Sequence, residues 1–258
     1  MEKINLFGLA FWNAASEEEV VNAITGEGNA GLFDNDNVSF MITPNAFEIT
    51  QYFTKYPTIY HAFRYSGVIL ADGMPIVWLS KLRRRSLKRR ITGSNLFPLL
   101  WQRIRQTGKK AFFILPSAGL GERFQNEYPL CGFAVPDLFD ENDDAYVTHF
   151  IGQHIDKILS LRPDYIFMGI STPKQHKMAI ELHRILSAKA GFNCLIATLG
   201  ASFEFYFGIK KRAPAFFQKT GTEWLYRLSQ EPKRTWRRYT IGNMVFLGIA
   251  IKELFKRT

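Results

Sequence analysis

The sequence predicts an α/β fold with a mostly parallel sheet flanked by helices, followed by a basic helical appendage. Continuous apolar runs, AFFILP (111–116), DYIFMGI (164–170) and NCLIATLG (193–200), alternate with longer segments of helical spacing. Such runs are typical of parallel strands that are covered by helices on both faces. The last fifty residues, 209–258, carry twelve Lys/Arg against three acids, which sets them apart from the rest of the chain.

The first half of the chain alternates in the same way. Ser16 with Glu19 three residues later is a capping-box signal for a helix that begins at SEEEVV. VSFMIT (38–43) reads as a strand and is followed by the helical spacing of AFEITQYFTKY. The apolar run 68–71 is a second strand, which ends at Asp72-Gly73, a common turn dipeptide.

Helices fill the remaining intervals. PIVWLSKLRRR has its proline at a first-turn position, and TGSNLFPLLWQRIRQTGKK is expected to stop at Gly108. SAGLGERFQNEY and STPKQHKMAIELHRILSAKAG follow two of the apolar strands, and the second helix is expected to stop at Gly191. A Phe-rich helical segment follows the strand 193–200.

Composition excludes several classes of protein. The chain has 258 residues, of which 47% are apolar, so it can bury a substantial core and is not disordered. Cys131 and Cys194 lie far apart without a CxxC, which argues against a disulfide framework or a zinc ribbon. The N-terminus is a poor signal peptide, and no stretch of eighteen apolar residues is present to span a bilayer.

The net charge of +10 is concentrated in two segments, the tail 209–258 and KLRRRSLKRR at 81–90. This asymmetry indicates a polyanionic partner, either nucleic acid or anionic lipid. No known nucleic-acid motif supports the first alternative. The apolar run 241–251, flanked by basic residues, either lies on a membrane surface or docks on its own domain as an amphipathic helix.

Candidate chemistry collects after the strands. Thr43, Asp72, Ser117, Ser171 and Ala201 each follow a predicted strand, and ligands of parallel sheets bind outside the carboxyl ends of the strands. Asp72 is either a hydrogen-bonded turn residue or an acid–base group in apolar surroundings. Taken alone, its sequence context favours the turn.

Two phosphate or metal signals are weak. Gly119 and Gly121 follow a strand and open a helix, but Phe124 replaces the third glycine of a dinucleotide fingerprint. Asp34 and Asp36 form a D-x-D in a polar turn, for which a solvated turn is the better interpretation. The five histidines show no metal-site spacing.

Two cationic features suit phosphate. Lys174 and Gln175 open a helix directly after a strand, where a cation, an amide and free backbone N–H groups suit a diphosphate or a sugar, although an ordinary helix start explains them nearly as well. In the tail, a helix would gather four arginines roughly on one side among aromatic residues, a pattern that suits pyrophosphate, lipid phosphate or single-stranded nucleic acid. These arginines are Arg227, Arg234, Arg237 and Arg238.

Five blocks together resemble the bacterial WecG/TagA/CpsF family, glycosyltransferase family 26. In the order of that family they are ITPN (42–45), ADG (71–73) with its apolar helix, RITGSNL (90–96), GISTPKQ (169–175) and FYFGIKKRAP…GTEWLYRLSQEPKRTWRRY (205–239). The resemblance covers about residues 36–240, and its last block is the most specific.

The resemblance implies an inverting glycosyltransferase that needs no metal or other cofactor. It implies a UDP-sugar donor and a sugar acceptor carried on undecaprenyl diphosphate, at the cytoplasmic face of the bacterial plasma membrane, with no nucleic-acid partner. We expect a Rossmann-like catalytic core over 1–208, with the base and acceptor side in 1–108 and the donor side in 109–208. Residues 209–258 would form a membrane-associating appendage, and a homo-oligomer is left open.

The resemblance also implies roles for particular residues. Asp72 would be the general base, with a pKa that its apolar surroundings raise, and Thr43 and Asn45 would lie beside it. The tail arginines would bind the lipid diphosphate and the membrane. The candidates for binding substrate are Arg90, Thr92, Gly93, Lys174, Gln175, His176, Glu204 and Arg212.

The sequence departs from the family pattern at three places that are expected near the donor. His176 stands where the family usually has Glu, Pro116-Ser117 replaces a Gly-Gly turn, and GSNL (93–96) replaces GxDL. The donor sugar is therefore left open between an N-acetylmannosamine-type sugar and a hexose. The alternative is a UDP-glucose-dependent enzyme of exopolysaccharide synthesis that acts on a lipid-linked glucose, and a basic nucleic-acid-binding protein is a remote alternative.

Overall fold

A computed structural model describes the chain over residues 1–26, 37–214, 216–217, 222–230, 236 and 241–256. Its strands are β1 (Lys3–Leu6), β2 (Leu9–Trp12), β3 (Val38–Ile42), β4 (Val68–Ile69), β5 (Ala111–Ile114), β6 (Cys131–Ala134), β7 (Tyr165–Met168) and β8 (Cys194–Thr198). Its helices are α1 (Glu17–Thr25), α2 (Ala46–Thr54), α3 (Pro57–Phe63), α4 (Met74–Leu82), α5 (Gly93–Gln106), α6 (Ala118–Glu127), α7 (Asp144–Leu161), α8 (Lys174–Leu186), α9 (Ser202–Tyr206), α10 (Glu223–Gln230) and α11 (Ile241–Leu254), the C-terminal helix.

The predicted parallel sheet is confirmed. Six strands form one sheet in the order β4-β3-β8-β7-β5-β6, and every neighbouring pair is parallel. The strands β5, β7 and β8 are buried along their whole length, as their continuous apolar sequences predict. Since all six strands run the same way, the loops that follow them meet at one edge of the sheet.

Alternate residues of the strands enter two apolar clusters, one on each face of the sheet. On β5, Phe112 belongs to the first cluster and Phe113 to the second. The second cluster is rich in aromatic rings: Phe113 stacks on Phe124 of α6 at 4.2 Å, and Phe97 of α5 meets Phe203 of α9 edge-on at 4.7 Å. These contacts fix α5, α6 and α9 against the sheet, and with them the loops at its carboxyl edge.

The structure contains elements that the sequence pattern did not predict. An antiparallel hairpin, β1–β2, turns at Phe7 and Gly8, both of which have positive φ. Gly8 is required there, because a Cβ would stand 2.3 Å from the Tyr60 Oη. The strand β6 and the helix α7 were also not predicted, since β6 is only four residues long and contains a glycine.

Several predicted ends shift. The strand β4 covers only Val68–Ile69 of the apolar run, and α8 ends at Leu186 instead of at Gly191. Pro173 lies one residue before α8, and its bond to Thr172 is cis. Ser16 caps α1 as predicted, although the Glu19 carboxylate accepts from the backbone N–H of Ala15 instead of that of Ser16.

The C-terminal helix docks on its own domain along one side. Phe246 is buried with its ring 5.8 Å from that of Phe7, and Glu253 forms an ion pair at 2.5 Å with Arg83, the residue that caps the C-terminus of α4. On the other side, Met244 and Leu247 are exposed. Of the two alternatives for the run 241–251, docking on its own domain therefore applies to one side of this helix. The other side presents an exposed apolar surface.

No helix within the described ranges has the length and apolarity that crossing a membrane requires.

Candidate active site

A polar cavity of about 690 Å³ lies at the carboxyl edge of the sheet. Loops that follow each of the six strands contribute to its lining. In sheet order from β4 to β6, these include Asp72, Thr43, Gly200, Ser171, Pro116 and Pro136. Of the five residues that the strand pattern predicted at this edge, Thr43, Asp72, Ser171 and Ala201 line the cavity, whereas Ser117 does not.

Asp72 stands between this cavity and a second space. Its backbone N–H donates to the Pro44 carbonyl at 3.2 Å, which ties the loop after β4 to the loop after β3. Its half-buried side chain lines both the polar cavity and an apolar groove of about 550 Å³, which lies between α4 and the C-terminal helix. Asn45 and Phe47 line both spaces as well.

Asn45 is held by a capping box at the start of α2. Its Oδ1 accepts from the backbone N–H groups of Phe47 at 3.0 Å and Glu48 at 3.2 Å. In return, the Glu48 Oε2 accepts from the Asn45 backbone N–H at 3.1 Å. This reciprocal pair fixes the Asn45 side chain next to Asp72, and Thr43 lines the polar cavity two residues earlier.

Glu48 continues a chain of hydrogen bonds across three strand ends. The Thr172 hydroxyl donates to the Glu48 Oε1 at 2.9 Å and accepts from the Gln175 Nε2 at 3.1 Å. The Gln175 Oε1 accepts from the backbone N–H of Gly200 at 3.1 Å. These hydrogen bonds join the loops after β3, β7 and β8. Gln175, which was predicted as a substrate-binding residue, both takes part in these hydrogen bonds and lines the polar cavity.

His176 lies behind the cavity wall and does not line the cavity. Its ring packs against Tyr52 and Phe63 at centroid distances of 5.7 and 5.1 Å and is almost completely buried. Burial lowers the pKa of His176 to about 3, so the imidazole is neutral near pH 7. Its 3.6 Å approach to the Glu48 carboxylate is therefore a packing contact and not an ion pair.

Cations and acids both border the site. In the polar cavity, Lys174 donates to the Phe139 carbonyl, and Lys210 pairs with Glu204 at 2.7 Å. At the groove, Arg90 pairs with Glu223 of α10 at 3.5 Å. The predicted residues Lys174, Glu204 and Arg90 are therefore at the two spaces, but each one already has a protein partner. Lys210 lines the polar cavity without having been predicted as a site residue.

Three further predicted residues lie beside the cavity without lining it. Thr92 caps α5 and accepts from the Asn95 backbone N–H at 3.2 Å. Gly93 packs so closely that a Cβ would stand 3.0 Å from the Ser202 Oγ. The Arg212 guanidinium donates to the Asn95 side chain. These residues position the start of α5 next to Thr43.

Part of the sequence-based site falls outside the described residues. This applies to Arg234, Arg237 and Arg238, and to the side chain of Arg227. It also applies to the D-x-D turn at 34–36. Within the described ranges, no group of three or more His, Cys, Asp or Glu side chains is placed to hold a metal ion.

Gly121, considered above as part of a phosphate cradle, has a packing role. A Cβ at this position would stand 2.3 Å from the Phe133 ring. The glycine therefore lets α6 approach the strand β6, and neither Gly119 nor Gly121 lines the polar cavity.

The sequence analysis missed several residues at the site. Glu48 could have been found from the N-x-x-E spacing that begins at Asn45, which is a capping-box pattern. Phe47, at the boundary of the two spaces, carries no such signal. The residues Pro136–Phe139 line the cavity but follow β6, which the pattern did not predict.

The fold and the site define a Rossmann-like α/β enzyme whose carboxylate faces a polar cavity on one side and an apolar groove on the other. The chain belongs to the glycosyl transferase WecG/TagA/CpsF family, whose family model matches residues 4–258.

Curated relatives agree with this assignment. A Staphylococcus aureus protein named N-acetylglucosaminyldiphosphoundecaprenol N-acetyl-beta-D-mannosaminyltransferase is 28% identical over 259 residues, 99% of this chain and 95% of its own length. A Bacillus spizizenii protein of the same name is 31% identical over 212 residues, which are 80% of this chain and 76% of that protein.

The buried histidine makes stability depend on pH. The folded protein leaves His176 unprotonated down to about pH 3, whereas an unfolded chain protonates a histidine near its ordinary pKa of 6.5. Between these values the unfolded state binds the extra proton, so the free energy of unfolding falls as the pH decreases. We expect His176→Gln to reduce this fall by on the order of 2 kcal/mol between pH 7 and pH 5, as measured by urea denaturation.

The control is His149→Gln, which replaces an exposed histidine of α7. It should leave the pH dependence of the wild type unchanged. Parallel pH profiles for His176→Gln and the wild type would show that the buried imidazole does not carry the effect.

Proposed function

We propose that the protein transfers a sugar from a UDP-sugar to a sugar carried on undecaprenyl diphosphate, with inversion at the anomeric carbon. The names of both curated relatives support the acceptor class, a sugar on diphosphoundecaprenol, and an N-acetylmannosamine-type sugar as the group transferred. The polar cavity at the carboxyl edge of the sheet supports a nucleotide-sugar donor, since such edges are where parallel α/β sheets bind their ligands.

The observation that carries this proposal is the position of Asp72 between two spaces of opposite character. Its carboxylate borders the polar cavity, which suits a sugar nucleotide, and the apolar groove, which suits an amphipathic acceptor. A general base for glycosyl transfer must reach the acceptor hydroxyl while that hydroxyl faces the donor. A carboxylate at the boundary of the two spaces meets this requirement.

The reaction is a single displacement. The acceptor oxygen bonds to the anomeric carbon of the donor while the bond from that carbon to the UDP oxygen breaks. The hydroxyl proton passes to Asp72, and UDP leaves with the bonding electron pair. The Asn45 side chain, which its capping box fixes, lines both spaces together with Asp72 and would orient a sugar hydroxyl there.

UDP departs with additional negative charge, which the site must stabilise. We propose that cations of the protein do so without a metal ion. Lys174 and Lys210 line the polar cavity, and Lys174 is the first residue of α8, where the helix dipole favours an anion. The sequence also offers Arg90, Arg212 and the tail arginines for this role, but Arg90 lines the apolar groove and not the polar cavity.

We propose that the enzyme works at the cytoplasmic face of the bacterial plasma membrane as a peripheral protein. The exposed apolar side chains of Met244 and Leu247 on the C-terminal helix support contact with a lipid surface. The twelve cations of 209–258 support attraction to anionic lipid. The proposal includes no nucleic-acid partner.

A donor screen tests the reaction class. The acceptors are N-acetylglucosamine and glucose, each on a short-chain lipid diphosphate, and the readout is UDP release. We expect release with UDP-N-acetylmannosamine, whereas release only with UDP-glucose on a lipid-linked glucose would favour the alternative sugar assignment. Release from neither donor, together with salt-sensitive binding of RNA or DNA, would contradict glycosyl transfer.

Asp72→Asn tests the base. The amide keeps the size of the side chain but cannot accept the proton, so kcat should fall at least about a hundredfold while UDP affinity and thermal stability stay close to those of the wild type. The control, Asp156→Asn, replaces an exposed carboxylate of α7 and should keep full activity. Near-normal turnover of Asp72→Asn would remove Asp72 from the mechanism.

Charge removal tests the membrane surface. Deleting residues 240–258 would also remove the buried Phe246 and Glu253, so we prefer to change Arg227, Arg234, Arg237 and Arg238 together to Gln. Because each basic residue near an anionic surface contributes about 1 kcal/mol, co-sedimentation with phosphatidylserine-containing vesicles should weaken at least about tenfold. Phosphatidylcholine vesicles are the control. Co-sedimentation that changes neither with the substitutions nor with added salt would contradict the electrostatic role.

A further inference from the structure

The apolar groove has a direction. The Glu253–Arg83 ion pair brings the C-terminal ends of α4 and the C-terminal helix together. At the other end, the Gly242 carbonyl accepts from the Thr50 hydroxyl of α2 at 3.5 Å. The two helices therefore run the same way, and the groove between them runs about 12 Å along α4, at 1.5 Å per residue from Met74 to Leu82.

The two ends of the groove differ in chemistry. Asp72, Arg90 and Asn243 line the end at the start of the two helices. Leu82 and Leu254 line the far end, where Leu82 is exposed. A ligand that matches this groove has a charged head, which lies beside Asp72, and an apolar chain, which extends away from the polar cavity toward the protein surface.

The side walls of the groove are apolar. Trp78 and Leu79 of α4 face Leu247 and Ile251 of the C-terminal helix. Trp78, Leu247 and Ile251 are 49%, 59% and 45% exposed, which is unusual for a set of large apolar side chains that share one groove. Its volume of about 550 Å³ is within the range of pockets that hold small ligands.

We propose that this groove binds the first isoprene units of a polyprenyl diphosphate, with the diphosphate at Arg90. The inference rests on the proposed function, because that function supplies an acceptor whose sugar and lipid are joined by a diphosphate. A sugar at Asp72, a diphosphate at Arg90 and an isoprenoid chain between α4 and the C-terminal helix follow the order of groups in such an acceptor.

Arg90 is the charge that matches the diphosphate. Its guanidinium now pairs with Glu223 of α10 at 3.5 Å, and both side chains are largely buried. An arriving diphosphate offers the guanidinium stronger, doubly charged acceptors than this one carboxylate. The diphosphate then replaces Glu223 as the partner of the Arg90 guanidinium. Glu223 of α10 lines the groove at its polar end.

The experiment separates the groove from a bilayer by leaving the bilayer out. The full chain is titrated calorimetrically with five-, ten- and fifteen-carbon prenyl diphosphates (dimethylallyl, geranyl and farnesyl) in buffer free of vesicles and detergent. We expect the affinity to rise at least about tenfold from the five- to the fifteen-carbon chain, the effect of burying roughly two methylene groups.

Two variants locate the binding. Leu247→Trp narrows the groove from an exposed position, and Trp78→Ala removes part of the opposite wall; both should reduce the chain-length effect at least about fivefold. The matched control is Gly248→Trp, which adds the same indole to the same helix at an exposed position where an added Cβ meets no atom within 4 Å and which does not line the groove. It should keep the chain-length effect, and thermal unfolding verifies that all three variants fold.

Several outcomes would overturn the proposal. One is an affinity that does not depend on chain length, and another is a dependence that all three variants keep. A chain-length effect that appears only when vesicles are added would assign the isoprenoid to the bilayer. A change of molar mass in light scattering with Leu247→Trp, without a change in prenyl binding, would assign the groove to a second copy of the chain.

The two proposals fail in different ways. UDP release that does not depend on the acceptor chain length would keep glycosyl transfer and remove the groove from it. Chain-dependent binding of prenyl diphosphates without UDP release from any donor would remove glycosyl transfer and leave an isoprenoid site.

Discussion

The site depends on one buried carboxylate, Glu48. A carboxylate in the protein interior is unfavourable unless hydrogen bonds satisfy it, and Glu48 accepts from the Asn45 backbone and from the Thr172 hydroxyl. Through Thr172 and Gln175 the chain of hydrogen bonds reaches the backbone of Gly200. Three loops that are distant in sequence are thus held in one arrangement, and the cavity between them keeps its shape.

The same arrangement places Asp72, the proposed base, at the boundary of two spaces of unlike chemistry. Asp72 follows the short strand β4, and its backbone is tied to the loop that begins α2. Helix α4 starts two residues later and forms one wall of the apolar groove. The carboxylate therefore lies where polar loops give way to apolar helices, which is where a lipid-linked sugar would meet a nucleotide sugar.

Much of the sheet was readable from the sequence because β5, β7 and β8 are buried on both faces and so carry continuous apolar residues. The hairpin β1–β2 could not be predicted from the sequence, because its strands are only four residues long and its turn depends on a contact with Tyr60. At the site, the sequence identified Asp72 and Gln175 as residues of the carboxyl edge. It could not show that His176 turns inward between Tyr52 and Phe63, since the orientation of a helix is set by packing partners from distant segments.

The sheet order has a consequence for how the protein is made. Strand β3, at residues 38–42, pairs on one side with β8, at residues 194–198. During translation this side of β3 has no partner strand until more than 150 further residues have left the ribosome. An unpaired strand edge can pair with other chains. The polar cavity is thus among the last features of a nascent chain to form, and the early strands of the sheet are the ones that a chaperone would need to protect.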